Sequence, residues 1–338
     1  MRRRSNRLPT PGHLKSSRSP DGSSHQGTER NQLDGLLPGD CSATGATLGE
    51  RRSYRLVLLL GILPRSGTNY LHSLLAQHPA TFGTGRIKEN HLLSHADDLE
   101  RYVEAVGAHW DLPLWGGSIL EKKKHQDALW KAVGHGLELF LWLESRYGPK
   151  SPSSCRSVMI ARTPLAVNLG TVPKLFPNSR VLILLRDPRD LAESFVKSFG
   201  GNYREIARKW RIAAGEVDTF LKEDRWAREH ALLVRYEDLL LHLEQEIRRI
   251  LTFLELDAVD YDFCAARRTP VLGSSTFRGK AQELHWRPLP VTPLFRPLER
   301  SRDWPEERLR EFESVVGGLL RSFGYLPRHS KVKNASKS

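Results

Sequence analysis

Arg65, Arg162 and Arg186 each stand at or just beyond the end of a short apolar run, and Lys88, Glu89 and His91 lie close together between the first and second of them. Guanidinium groups at such junctions bind anions through charge-assisted hydrogen bonds, and a positioned carboxylate or imidazole can take a proton from a hydroxyl. The densest junction is Leu56-Val57-Leu58-Leu59-Leu60-Gly61-Ile62-Leu63-Pro64-Arg65-Ser66-Gly67-Thr68-Asn69-Tyr70-Leu71. It reads as a buried strand, a tight loop and an amphipathic helix running to Gln77. A loop of this kind points free backbone N–H groups, at the positive end of a helix dipole, toward one spot. The ligand for that spot is an anion, most often a phosphate. The pattern G-x-x-x-x-G-K-[ST] is not met, because Thr68 follows Gly67 and no lysine is present. The cation comes earlier, at Arg65.

Positioning these groups requires strands that end along one edge. Ser157-Val158-Met159-Ile160-Ala161 reads as a second central strand leading to Arg162-Thr163-Pro164. Val181 to Leu185 is an unbroken apolar run of the kind buried in a parallel sheet. It ends at Arg186-Asp187-Pro188, with Asp187 placed to cap a helix and Pro188 at its first position. Ala231 to Val234 is a further strand, followed by Tyr236-Glu237-Asp238 and a helix to Leu254. Thr81 to Gly85 is too short and Gly-rich to assign as a strand. Helical patterns cover about 95–108, 126–147, 203–223 and 305–322, the second with Leu129, Val133, Leu137, Phe140, Leu141 and Leu143 as its apolar face. Alternating strands and helices predict an α/β fold: a three-layer sandwich, its central parallel sheet covered by helices on both faces. Ligands in such sheets bind beyond the carboxyl ends of the strands, where Arg65, Arg162, Arg186 and Tyr236 fall.

The chain of 338 residues carries a net charge of +13, which suggests an anionic ligand without naming one. Residues 1–50 hold seven Lys/Arg and five Asp/Glu, so most of the charge lies elsewhere. That segment is Arg/Ser/Gly/Pro-rich and aperiodic, and is expected to be a disordered tail. Residues 51–326 form the expected domain and 327–338 a basic C-terminal tail. Cys41, Cys155 and Cys264 are isolated, with neither zinc spacing nor a disulfide framework. No apolar run approaches the ~20 residues that span a bilayer, and the N-terminus lacks a signal-peptide apolar region. The expectation is a cytoplasmic protein without a transmembrane segment.

Several separated segments together resemble one family, the sulfotransferases that use 3′-phosphoadenosine 5′-phosphosulfate (PAPS), whose domain has a P-loop-NTPase-like fold. Arg65-Ser66-Gly67-Thr68-Asn69-Tyr70-Leu71 resembles the family's 5′-phosphosulfate loop, with Tyr70 at the position that stacks on adenine. Arg186 and Ser194, eight residues apart, resemble its 3′-phosphate motif. Leu233-Val234-Arg235-Tyr236-Glu237-Asp238-Leu239 is similar to the segment whose tyrosine lies near adenine. Phe277-Arg278-Gly279-Lys280 resembles the late basic loop over the 3′-phosphate, and Arg278 is carried over from it. Lys88-Glu89-Asn90-His91-Leu92-Leu93 resembles the K-E-P-H-F-F segment of heparan sulfate O-sulfotransferases, with Asn90 replacing proline and leucines replacing both aromatics. Arg162-Thr163-Pro164 resembles their K-T-P.

The resemblance implies sulfuryl transfer from PAPS to an acceptor hydroxyl of a carbohydrate or other small molecule, leaving the bisphosphate product 3′,5′-ADP. Glu89 would be the base, His91 its support, Lys88 a neighbour of the carboxylate or the sulfuryl group, and Arg65 the counter-charge to the leaving phosphate. By spacing alone Glu89 is a solvated carboxylate and Arg162 equally a salt-bridge partner; the family match sets Glu89 at the site. A sulfuryl group carries less charge than a phosphoryl group, so no metal is expected. A small-molecule kinase should show a GK[ST] loop and an acidic strand end for magnesium, where this chain has Thr68-Asn69 and Arg186. A nucleic-acid-binding protein would account for the charge, yet none of its usual signatures is present, so no nucleic-acid partner is expected.

Overall fold

An uninterrupted apolar strand has to bury both of its faces, and the computed structural model places a separate core on each. It describes residues 54–110, 119–148, 157–272, 288–289 and 297–328. In chain order the first elements are β1 (Tyr54–Gly61), α1 (Thr68–Leu75), β2 (Thr81–Gly83), α2 (Ala96–Ala108), α3 (Ile119–Ser145), β3 (Ser157–Thr163) and α4 (Val172–Leu175). Then come β4 (Arg180–Leu185), α5 (Pro188–Phe199), α6 (Tyr203–Glu223), α7 (Arg225–His230) and β5 (Ala231–Arg235). The chain continues with α8 (Tyr236–Leu241), α9 (Leu243–Phe253), α10 (Phe263–Arg268), the short pair β6 (Val271–Leu272) and β7 (Pro288–Leu289), α11 (Glu306–Val316) and α12 (Leu319–Ser322).

The main sheet is parallel, five-stranded and ordered β2-β3-β1-β4-β5. Successive residues of its strands face opposite ways. Leu56, Leu58, Leu60, Val181, Ile183 and Leu185 join a core roofed by α2 to α7, α11 and α12. Val57, Leu59, Leu182 and Leu184 join the other, roofed by α1, α8, α9 and α10. This is the expected three-layer arrangement. Leu60 pairs with both Thr163 and Ile183, and Leu185 with Arg235, so the loops after β1, β3, β4 and β5 open along one edge.

Tertiary contacts revise four local readings. Thr81–Gly83 is a strand, because pairing to Val158–Ile160 supplies what its own composition lacks. α3 packs Leu129, Val133, Leu137 and Leu141 of its expected face against the core together with Trp130, while Phe140 and Leu143 fall off that face, 44% and 45% exposed. Gly134 lets α3 approach α4 closely, since a Cβ there would lie 1.8 Å from the Leu175 carbonyl oxygen. The helix expected to run to Leu254 is interrupted at His242, between α8 and α9. The last helix breaks at Gly317, where φ is +62°.

The chain divides into two units, Met1–Arg51 and Arg52–Ser338, and all described residues belong to the second. The expected tail 1–50 and all but the first two residues of 327–338 lie outside the described residues. Among the described residues no helix is long and apolar enough to cross a membrane.

Candidate functional site

The loop after β1 is closed by its own serine. Ser66 Oγ donates to the Leu63 carbonyl (2.7 Å) and accepts from the Leu63 N–H (3.3 Å), so this buried hydroxyl is spent on the turn. Arg65 and Gly67 both adopt left-handed backbone conformations, φ +79° and +103°. At Gly67 no side chain fits, because a Cβ would lie 2.4 Å from the Tyr236 ring. α1 begins at Thr68 without a side-chain cap, leaving the N–H groups of Thr68 and Asn69 without acceptors inside the helix. The Asn69 side-chain oxygen is buried and has no partner among the described residues.

Three guanidinium groups meet above this loop. Arg186 donates to the Arg65 carbonyl (2.9 Å) and the Pro297 carbonyl (2.7 Å), and its Cζ lies 4.7 Å from the centre of the Tyr236 ring. Its Nε is buried with no partner among the described residues. Arg189, three residues on, has the opposite role: it forks onto Asp187 and reaches Glu313 at 2.6 Å, wholly inside the protein. Arg65 donates from Nε to Ser194 Oγ (3.3 Å), so Ser194 faces the loop arginine. Burial, then repulsion from Arg186 and Arg300, lowers the Arg65 pKa to about 10. Burial, then Arg186, does the same to Arg300, also to about 10. Like charges held this close oppose one another, and an anion placed among them offsets the repulsion.

Arg300 is a site residue that the sequence does not reveal. Leu298-Glu299-Arg300-Ser301 carries no strand, glycine pattern or motif spacing; the only hint is its place at the end of a basic stretch. Arg278, expected to supply the late cation, lies outside the described residues. The two tyrosines serve as walls. Tyr70 is 6% exposed, packed edge-on to Tyr236 with ring centres 6.1 Å apart, so its ring belongs to the core and offers no open face for adenine. Tyr236 is 2% exposed, between Gly67 and Arg186.

The segment after β2 reaches the same edge. Asn90 donates to the Arg162 carbonyl from both its backbone N–H (2.9 Å) and its Nδ2 (2.8 Å). Arg162 Nε donates back to the Lys88 carbonyl (2.8 Å). Asparagine here has a physical reason, since proline has no N–H to donate. The clasp leaves the Glu89 carboxylate in the electrostatic field of both Arg65 and Arg162. Burial lowers the Arg162 pKa to about 10 and Glu89 counters it. His91 Nε2 lies 3.6 Å from Glu89 Oε2, with both side chains part-exposed. Lys88 Nζ is exposed and meets the Gly85 carbonyl at 3.5 Å.

His72 is a second residue absent from the sequence reading. A Cβ at Gly83 would lie 2.9 Å from its Nε2. Burial, then Arg162 and Lys88, pushes the imidazole down to about 3, so it is neutral at physiological pH.

Comparison with known proteins places this geometry. A model of the sulfotransferase family matches residues 58–260, more than half of the chain. The chain belongs to the sulfotransferase family. A protein-tyrosine sulfotransferase of Drosophila melanogaster is 26% identical over 211 residues, which are 59% of this chain and 38% of the relative. Protein-tyrosine sulfotransferase 1 of Danio rerio is 24% identical over 298 residues, 82% of this chain and 74% of the relative. The chain thus spans less than half of the fly relative's length. The sulfotransferase domain of the Synechococcus PCC 7002 olefin synthase has 18% identity and a TM-score of 0.47, covering 80% of this chain and 95% of that domain.

Proposed function

We propose that this sulfotransferase moves the sulfuryl group of PAPS to an acceptor hydroxyl by in-line transfer, with Glu89 as the base. The observation that carries the reading is the meeting of Arg65, Arg186 and Arg300 at the N-terminus of α1, with Glu89 in the field of Arg65. The orphaned Nε of Arg186 fits an anionic group at this edge, and Gly67 lets the Tyr236 ring close on the loop beside it. The N–H groups of Thr68 and Asn69, with Arg65, face the 5′ end and offset charge developing on the leaving phosphate. Arg186 and Arg300 hold the 3′-phosphate, and Ser194 keeps Arg65 in place. On the acceptor side Glu89 takes the hydroxyl proton as the oxygen attacks sulfur, and His91 sits behind it. Guanidinium groups supply the positive charge that a metal would otherwise bring.

Two acceptor classes follow from different observations. The Lys88–Leu93 segment favours a carbohydrate or small-molecule hydroxyl, while the curated relatives carry names that favour the tyrosine hydroxyl of a protein. The test is transfer from labelled PAPS, in EDTA, to separate pools of sugars, phenols and tyrosine peptides. Label in one pool supports the reading and names the class. Failure to bind 3′,5′-ADP, or activity that requires magnesium, overturns it.

A further inference from the structure

The three site residues that come from β4, β5 and the segment before α11 share a pattern: the next residue in the chain is tied to the C-terminal segment 325–328. After Arg186 comes Asp187, whose Oδ2 lies 3.4 Å from Arg328 Nη2. Following Tyr236 is Glu237, whose Oε2 accepts the Tyr325 hydroxyl at 2.9 Å. Next to Arg300 is Ser301, whose Oγ accepts from Arg328 Nη1 at 2.9 Å and donates to Asp190 Oδ1 at 2.6 Å. Cross-links complete the knot. The Asp187 N–H donates to Glu237 Oε1 (2.7 Å), Arg189 donates to the Leu326 carbonyl (3.1 Å), and the Arg328 N–H donates to Glu313 Oε1 (3.0 Å).

This layout answers a physical problem. Arg186 and Arg300 repel each other, and direct ties already join their segments: Arg186 to the Pro297 carbonyl (2.7 Å) and Ser301 to Asp190 (2.6 Å). The knot lies one residue behind both and is rich in carboxylates, so it adds to those ties from the rear. Arg328 links the Asp187–Asp190 pair to Ser301 and so reaches from the C-terminal segment to both arginine-bearing segments.

The geometry points to Tyr325–Arg328 as a C-terminal clasp whose role is to set the spacing of the cations that read the 3′-phosphate; Arg328 and Tyr325 are positioning residues for co-substrate specificity. The inference rests on the assignment of Arg186 and Arg300 to that phosphate. It goes beyond that assignment by making selectivity depend on side chains that do not touch the nucleotide.

The experiment compares dissociation constants of 3′,5′-ADP and 5′-AMP for the full chain and for the Arg328→Ala, Arg328→Lys and Tyr325→Phe variants, by calorimetry. The parent should prefer 3′,5′-ADP. Arg328→Ala should lose about tenfold of that preference, the value of one charge-assisted hydrogen bond, with Arg328→Lys recovering part of it. Tyr325→Phe keeps the ring over Arg235, removes the hydroxyl's ties to Glu237 and Arg235, and should lose a smaller share. A residue that only stabilises the fold would lower the melting temperature and the active fraction but leave the ratio of the two constants unchanged. An unchanged ratio in Arg328→Ala, or in Tyr325→Phe should Arg328→Ala not fold, overturns the clasp. A parent with no preference overturns the underlying phosphate assignment instead.

Discussion

Glu89→Gln is the substitution that separates a base from a bystander. The glutamine keeps size and hydrogen bonding and removes proton acceptance. The clasp around it does not use the carboxylate: Asn90 and the Lys88 carbonyl hold Arg162 through their own atoms. The variant should therefore fold and bind 3′,5′-ADP within about fivefold of the parent, as expected of a part-exposed charge change that costs at most about 1 kcal/mol. The contact to His91 is 3.6 Å long between side chains 29% and 44% exposed, so its loss is equally small. Removing a general base costs about 10²–10⁴ in rate, or roughly 3–5 kcal/mol of barrier. Single-turnover transfer from labelled PAPS should slow at least about a hundredfold. A folded variant with near-parental turnover would refute the assignment. His72, neutral and beside the same loop, would then be the group to test.

Other outcomes follow from the same geometry. Arg186→Ala should weaken 3′,5′-ADP binding at least about tenfold while changing 5′-AMP binding far less; equal losses by calorimetry would mean that Arg186 does not read the 3′-phosphate. Asn90→Pro removes both donors to the Arg162 carbonyl and should lower stability by about 1–3 kcal/mol in urea titrations, with turnover falling as Glu89 loses its mount. An unchanged urea midpoint would show the clasp to be idle. Burial alone would raise the Glu193 pKa, but hydrogen bonds from Lys197, Trp304 and Tyr203 outweigh it and hold the folded value below the usual one. Its contribution is therefore present above the unfolded carboxylate pKa and is lost as pH falls through the lower folded one. The stability gap between parent and Glu193→Gln should close on acidification over that window, and a gap that stays constant with pH would count against the depressed carboxylate.

Much of the architecture was legible because it depends on neighbours in sequence. Unbroken apolar runs at Leu56–Leu60 and Val181–Leu185 demand burial on both faces, which in practice means a parallel sheet between helix layers. Asp187 and Pro188 announce the start of α5, and the Asp187 side chain does cap it, accepting the Arg189 N–H at 2.9 Å. The loop at Arg65–Thr68 could be read as an anion loop because its glycine and helix start are local features.

What the tertiary structure alone decided are choices between residues of the same type. Arg186 and Arg189 lie three positions apart in one motif, yet one opens to the site and the other is locked between Asp187 and Glu313. Arg300 enters the site from a stretch with no pattern of its own. Position 134 of α3 admits no side chain because the Leu175 carbonyl, far along the chain, occupies that space. Such outcomes are set by which distant atoms come within a few ångströms, and a linear spacing rule carries no information about that distance.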